Sequence, residues 1–342
     1  MTVLVFAPNW LGDAVMALPA VADLRRFAGS GTLVVAARPG IADLFAMAPG
    51  IDRVLAVPAA RRSGRLAALG ASIETAKQAS ADVAVLLPNS FHAALAARRA
   101  GIAERWGYRR QWRGWLLTRA VARPRGRLHQ VDAYRRLVAA LGLDNGPREP
   151  KLEAPPGAIE AAGTLLSAAG WAPGTPLLGL APGAAYGGAK RWPPERFAET
   201  AAGLARSLGT APVLVGREAD RPAARAVAAE LDRIGGPGGA VRAIDLIGRT
   251  SLRQLAGVMA RCTAFVSNDS GAMHLAAALG VPVAAVFGPT DERATAPLGA
   301  RVRVVTARAW CRPCMLRECP IDHRCMTRIP ARDVIGAVEE VV

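Results

Sequence analysis

The sequence predicts two α/β domains, each built on a doubly wound parallel sheet. Three observations lead there. The chain has 342 residues, more than a single hydrophobic core usually serves. About half of them are apolar (51%), with glycine and proline spread over the whole length, which is the composition of a packed globular protein and excludes a disordered or fibrous one. Short apolar runs alternate with longer amphipathic ones in both halves, and alternation of strand and helix implies parallel strands covered on both faces.

In the first half, residues 3–6, 33–37, 54–57 and 83–87 read as buried strands. Between them, residues 13–27, 41–47, 66–78 and 91–99 carry helical periodicity. Pro19 falls inside the first of these helices, where an unaccommodated proline costs roughly 3 kcal/mol, so a late start, break or kink is expected there. In the second half, residues 177–180, 212–215, 264–266 and 283–287 read as strands, and residues 195–207, 221–232, 252–260 and 271–279 as helices. Residues 145–157 hold four prolines and read as a linker or the edge of one, and the helix after it, 159–169, fits either domain. The expected division is therefore 1–160, 161–330 and a final helix from 331 to 342. In such sheets ligands sit beyond the carboxyl ends of the strands, and with two domains a cleft between them is the natural active site.

No stretch reads as a membrane span or secretory signal. The most apolar one, residues 2–22, contains Gly12, Asp13 and two prolines and has no basic segment before it, so a cytoplasmic protein is expected. Lysine plus arginine exceed aspartate plus glutamate by 43 to 27, a net +16 carried almost wholly by arginine. A general arginine habit accounts for this as well as attraction to nucleic acid, an acidic membrane face or a phosphorylated substrate does. The charge is uneven: Arg98, Arg99, Arg105, Arg109, Arg110, Arg113, Arg119, Arg123, Arg125 and Arg127 stand against the single acid Glu104, with Trp106, Tyr108, Trp112 and Trp115 between them. That mixture suits nucleic acid, yet no nucleic-acid module is present, and a phosphate-bearing glycolipid fits the charge equally well.

Three loops at predicted strand ends carry candidate chemistry. The first strand runs into Ala7-Pro8-Asn9-Trp10-Leu11-Gly12-Asp13, where Gly12 lets backbone approach a ligand and Asp13 is either a helix-capping acid or a catalytic base. The first strand of the second half runs into Pro182-Gly183-Ala184-Ala185-Tyr186-Gly187-Gly188-Ala189-Lys190-Arg191, a loop able to offer backbone N–H groups and a cation to phosphate, or equally a glycine-rich turn with solvated cations. It lacks P-loop spacing, and no G-x-G-x-x-G fingerprint occurs in the chain. The third, Asn268-Asp269-Ser270-Gly271, leads into an alanine-rich helix with Ser270 as N-cap, whose free N–H groups and positive dipole end suit a diphosphate. His274 lies one turn along, on the Ser270 side, as ligand contact or as a buried histidine. Cys311, Cys314, Cys319 and Cys325, near His323, invite a zinc reading, but the C-x₅-C spacing of the last pair favours a packed or acceptor-facing loop without metal.

Taken in order, these segments resemble the bacterial heptosyltransferases of glycosyltransferase family 9. The resemblance spans nearly the full length: Trp10-Leu11-Gly12-Asp13, Leu87-Pro88-Asn89-Ser90-Phe91, Pro182-Gly183-Ala184-Ala185-Tyr186-Gly187, Ala189-Lys190-Arg191-Trp192-Pro193, Asn268-Asp269-Ser270-Gly271-Ala272-Met273-His274 and Phe287-Gly288-Pro289-Thr290. The chain looks most like the members that add the second heptose of the lipopolysaccharide inner core. It departs from the pattern at Gly187-Gly188, where the family usually has a proline, and in the glycine-rich insert 235–239.

The resemblance implies a GT-B architecture, with the acceptor in the first domain, the nucleotide sugar in the second and the last helix crossing back to the first. It implies inverting transfer of heptose from ADP-heptose to the first heptose on Kdo₂-lipid A, with no metal or other cofactor. Asp13 matches the family's proposed general base. Gly12, Gly183, Lys190, Asp269, Ser270, Gly271 and His274 would hold the donor, and Glu218 its ribose. A monomer in peripheral contact with the inner membrane, at its cytoplasmic face, is expected. The rival readings are a heptosyltransferase of the I or III type, a sugar-nucleotide epimerase and, from charge alone, a nucleic-acid-binding protein.

Overall fold

The structure, a computed structural model, describes residues 1–58, 64–236 and 241–342. They form two compact units, Met1–Glu153 and Ala154–Val342. The division falls ahead of residue 160, so the helix at the boundary belongs to the second unit.

The first unit contains β1 (Thr2–Phe6), α1 (Leu11–Ala28), β2 (Thr32–Ala37), α2 (Pro39–Ala46), β3 (Arg53–Ala56), α3 (Gly64–Gln78), β4 (Val83–Leu86), α4 (Phe91–Arg99), β5 (Glu104–Tyr108), β6 (Arg119–Val121) and α5 (Gln130–Ala140). Its six strands lie in the order β3-β2-β1-β4-β5-β6, all parallel. Val3, Leu4 and Val5 of the central strand are fully buried, as continuous apolar runs in a parallel sheet require. Pro19 is carried inside an unbroken α1, among buried Val15, Leu18 and Val21, so packing on the sheet offsets the backbone hydrogen bond it cannot make. Arg113 is fully buried: its guanidinium donates to the carbonyls of Tyr108, Pro88 and Ser90 and ties the β5–β6 connection to the loop after β4.

The second unit contains α6 (Pro156–Ala168), β7 (Leu177–Ala181), α7 (Pro194–Leu208), β8 (Ala211–Leu214), α8 (Arg221–Gly235), β9 (Ile244–Asp245), α9 (Leu252–Ala260), β10 (Cys262–Asn268), α10 (Gly271–Ala278), β11 (Val283–Phe287), α11 (Glu292–Thr295), β12 (Val302–Thr306), α12 (Arg324–Thr327) and α13 (Ala331–Glu339). Its strand order is β12-β11-β10-β7-β8-β9, again all parallel. Both sheets thus reverse their winding beside their first strand, at β1/β4 and at β7/β10, which is where doubly wound sheets open a crevice beyond the carboxyl ends.

Val334, Ala337 and Val338 are buried, and α13 packs against α7 and the strands β10, β11 and β12 of its own unit. Of the glycine-rich insert 235–239, residues 237–239 lie outside the described residues. No helix among the described residues is long and apolar enough to cross a membrane.

Candidate functional site

The carboxyl ends of β7 and β10 lie side by side, and the loops that leave them meet. Asn268, fully buried, joins them: its amide nitrogen donates to the Pro182 carbonyl at 2.8 Å and its oxygen accepts the Trp192 N–H at 3.0 Å. Gly183 is required by space, because a Cβ there would collide with the Asp220 carboxylate. The loop closes in a short 3₁₀ turn, Gly188–Lys190, that brings Lys190 back to Asp269, with Nζ 2.5 Å from Oδ2. Both side chains are nearly buried, at 12% and 7% exposure, and Asp269 also accepts the Thr290 hydroxyl at 2.5 Å. The ammonium lies 4.7 Å from the centre of the Tyr186 ring.

Immediately beyond Asp269, α10 begins. Ser270 is its N-cap, its hydroxyl accepting the Ala272 N–H at 3.3 Å, and Gly271 is the first helical residue. A buried His274 follows one turn on. The second unit therefore brings Gly183, Lys190, Asp269, Ser270, Gly271 and His274 to one edge of one sheet, with a cation next to a helix N-terminus. That pairing favours a phosphorylated ligand. One expectation changes. The N–H groups of Gly188, Ala189, Lys190 and Arg191 are all engaged, by Glu318 Oε1, the Arg317 carbonyl, the Gly187 carbonyl and the Gly188 carbonyl, so this part of the loop offers a cation rather than a cradle of amides.

Glu218 is at the same edge, in a 3₁₀ turn after β8. It is well exposed and paired with Arg221 through two short contacts of 2.5 and 2.6 Å, and the hydrogen bonds from that guanidinium hold its carboxyl below the ordinary glutamate value.

The cysteine segment has a role that its spacing did not disclose: it is strapped across the Lys190 loop. Tyr186 donates to the Met315 carbonyl, Gly188 to Glu318 and Ala189 to the Arg317 carbonyl, while His323 Nε2 meets the Ala189 carbonyl at 2.7 Å. On its other side, Arg312 donates to the Gly288 carbonyl. No three His, Cys, Asp or Glu side chains among the described residues are grouped to hold a metal ion.

In the first unit, Gly12 and Asp13 fall in the first turn of α1, beyond the carboxyl end of β1. Asp13 is half-buried and faces α5: burial first, and then the Asp13 carboxylate, push the Tyr134 phenol up. Past the ends of β1, β2 and β4 opens a cavity of about 620 Å³ whose polar lining includes Asn9, Arg38, Arg65, Ser72, Ser90 and His92. Burial, and then the Arg38 charge, lower the His92 pKa, and its Nε2 meets Ser72 Oγ at 2.9 Å. Two guanidinium groups and hydrogen-bonding side chains suit an anionic, hydroxyl-rich ligand. Sequence reading missed this cavity. The available signal was Arg38 directly after a predicted strand and His92 directly after the Leu87-Pro88-Asn89-Ser90-Phe91 segment.

Two doubly wound units, each with its charged loops at the carboxyl edge of its sheet, have the architecture of the GT-B glycosyltransferases, and the comparisons with known proteins agree. The structure superposes on that of E. coli ADP-heptose LPS heptosyltransferase II with a TM-score of 0.82, at 27% identity, over 100% of this chain and 98% of the other. The family model of glycosyltransferase family 9 (heptosyltransferase) matches residues 70–324, and the chain belongs to that family. It is 32% identical over 316 residues to lipopolysaccharide heptosyltransferase 2 of Salmonella typhimurium, covering 89% of this chain and 88% of the relative. To lipopolysaccharide heptosyltransferase 2 of Escherichia coli it is 31% identical over 314 residues, with the same coverage.

Proposed function

We propose that the chain transfers heptose from ADP-heptose to the first heptose of the lipopolysaccharide inner core, with inversion at the anomeric carbon. The observation that carries this reading is Lys190, a cation held at the β7/β10 crevice beside the N-terminus of α10. A leaving ADP develops negative charge on its diphosphate, and a fixed cation next to a helix end stabilises that charge. His274 and Asp269 orient the donor, and Glu218 takes the ribose hydroxyls once Arg221 releases its carboxylate. The cavity of the first unit, with Arg38 and Arg65, receives the acceptor's anionic groups. Asp13 removes the proton from the acceptor hydroxyl as its oxygen attacks the anomeric carbon. These groups supply the base and the leaving-group stabilisation, so the scheme needs no metal, and a chelator should leave the rate unchanged. The enzyme works at the cytoplasmic face of the inner membrane, where its lipid-linked acceptor resides.

Transfer from ADP-heptose to Kdo₂-lipid A, with and without the first heptose, tests the assignment. A strict requirement for that heptose supports it, and equal transfer without it assigns the chain to the first addition instead. Asp13→Asn should lower kcat by about 10²–10⁴-fold while ADP binding is retained. Near-normal turnover removes Asp13 from the mechanism.

A further inference from the structure

We infer that the aromatic and arginine-rich face formed by α4 and the loop 109–116 is the surface with which the first unit seats on an anionic lipid bilayer. The inference deepens the reading that the acceptor is lipid-linked and rests on it for its biological sense, but its physical basis is independent. Trp112 is 95% exposed. It stands on left-handed backbone, with φ of 57° and Gln111 before it at 50°, a conformation that L-residues with side chains rarely adopt. The loop is not slack: buried Arg113, the very next residue, anchors it to Pro88 and Ser90. A rigidly anchored loop thus holds a whole indole in water, which folding alone does not explain.

The neighbours share its character. Trp115 is 64% exposed and meets exposed Phe91 at 6.3 Å between ring centres. The Arg98 guanidinium lies 5.1 Å from the Trp115 ring centre, and Arg99, Arg109 and Arg110 are exposed alongside. Indole rings favour the headgroup level of a bilayer, and arginines beside them are drawn to anionic headgroups. Position supports the same occupant. Phe91 lies between Ser90 and His92, both of which line the 620 Å³ cavity, so a bilayer against this face presents a lipid-anchored acceptor at the cavity mouth. Glu104 is the only acid from residue 98 to 127, and it is occupied by Trp106 and Thr118.

The test is co-sedimentation of the full chain with phosphatidylcholine vesicles, with and without phosphatidylglycerol. The wild type should bind the anionic vesicles, weakly bind the neutral ones, and release as salt rises. Arg109→Gln with Arg110→Gln should lower the partition coefficient by about fivefold per arginine removed, near 25-fold together. Trp112→Ala should lower it severalfold with an unchanged melting temperature, since that side chain packs on nothing. All variants should turn over detergent-dispersed acceptor at the wild-type rate. Equal vesicle binding by wild type and variants overturns the inference. So does binding of single-stranded RNA that these variants lose while vesicle binding is absent. Vesicle binding without any heptose transfer would instead sink the proposed function and leave this surface standing.

Discussion

Replacing Lys190 by Met removes one charge from a nearly dry pair and tests two quantities at once. In the free protein Lys190 Nζ is 2.5 Å from Asp269 Oδ2, and both side chains are almost fully covered. Breaking a buried pair from one side costs about 3–5 kcal/mol, because the remaining charge is left uncompensated. Asp269 keeps one strong partner, the Thr290 hydroxyl, so the loss belongs at the lower end, near 3 kcal/mol. Asp269→Asn in the same chain removes the stranded charge and should restore most of that stability. The double-mutant cycle should then show a coupling of roughly 2–3 kcal/mol, toward the upper end for residues in contact. The second quantity is nucleotide affinity. A charge-assisted hydrogen bond to phosphate contributes about 1.5–3 kcal/mol, so ADP should bind about 10- to 150-fold more weakly to Lys190→Met. Urea denaturation and ADP titration calorimetry, the latter at a temperature where the variant is folded, measure the two. Stability within 1 kcal/mol of the wild type would show that the pair is no buried partnership. Undiminished ADP affinity would remove Lys190 from the phosphate site.

Arg113→Ala should destabilise the first unit by about 3 kcal/mol or more, since it leaves the carbonyls of Tyr108, Pro88 and Ser90 without the donor that buries them; urea denaturation followed by tryptophan fluorescence reads this, and a change under 1 kcal/mol would contradict it. Burial lowers the Arg113 pKa to about 10, so the side chain is still charged at neutral pH. Asp132 accepts two 2.8 Å hydrogen bonds from Arg148, which hold its carboxyl below its ordinary value of 3.8. A depressed carboxyl contributes stability above the unfolded value, and the contribution is lost as pH falls through the folded one. Asp132→Asn should therefore cost about 0.5–1 kcal/mol at neutral pH, as expected for a partly exposed pair, and much less near pH 2. An equal loss at both pH values would assign the effect to packing.

The strands legible in the sequence are those with unbroken apolar runs, such as Val3-Leu4-Val5-Phe6 and Val283-Ala284-Ala285-Val286-Phe287, because parallel strands buried on both faces permit little else. The four that escaped, β5, β6, β9 and β12, lie toward the edges of their sheets, and β5, β6 and β12 also carry arginine. Glu104-Arg105-Trp106-Gly107-Tyr108 reads as a charged surface segment until the sheet shows Trp106 and Tyr108 turned inward. The second-unit candidates were legible for a local reason: glycine, a small cap and a helix adjoin in sequence as they do in space. The Arg38–His92 cavity was not, since its lining comes from the ends of several strands whose order had to be known first. The cysteine segment was legible as a packed or acceptor-facing loop but not its partner, since the Lys190 loop that its backbone holds lies more than a hundred residues earlier.

That strap sets an order of events during synthesis. The first unit is chemically complete when Glu153 leaves the ribosome. The Lys190 loop, although made soon after, gains its contacts to Met315, Arg317, Glu318 and His323 only when more than a hundred further residues have emerged. A nascent chain stopped short of Met315 carries every residue of the first unit while its Lys190 loop is still unlatched. Premature termination in this stretch should therefore leave Lys190 without its latch, and such truncated chains should lose ADP that the 342-residue chain retains.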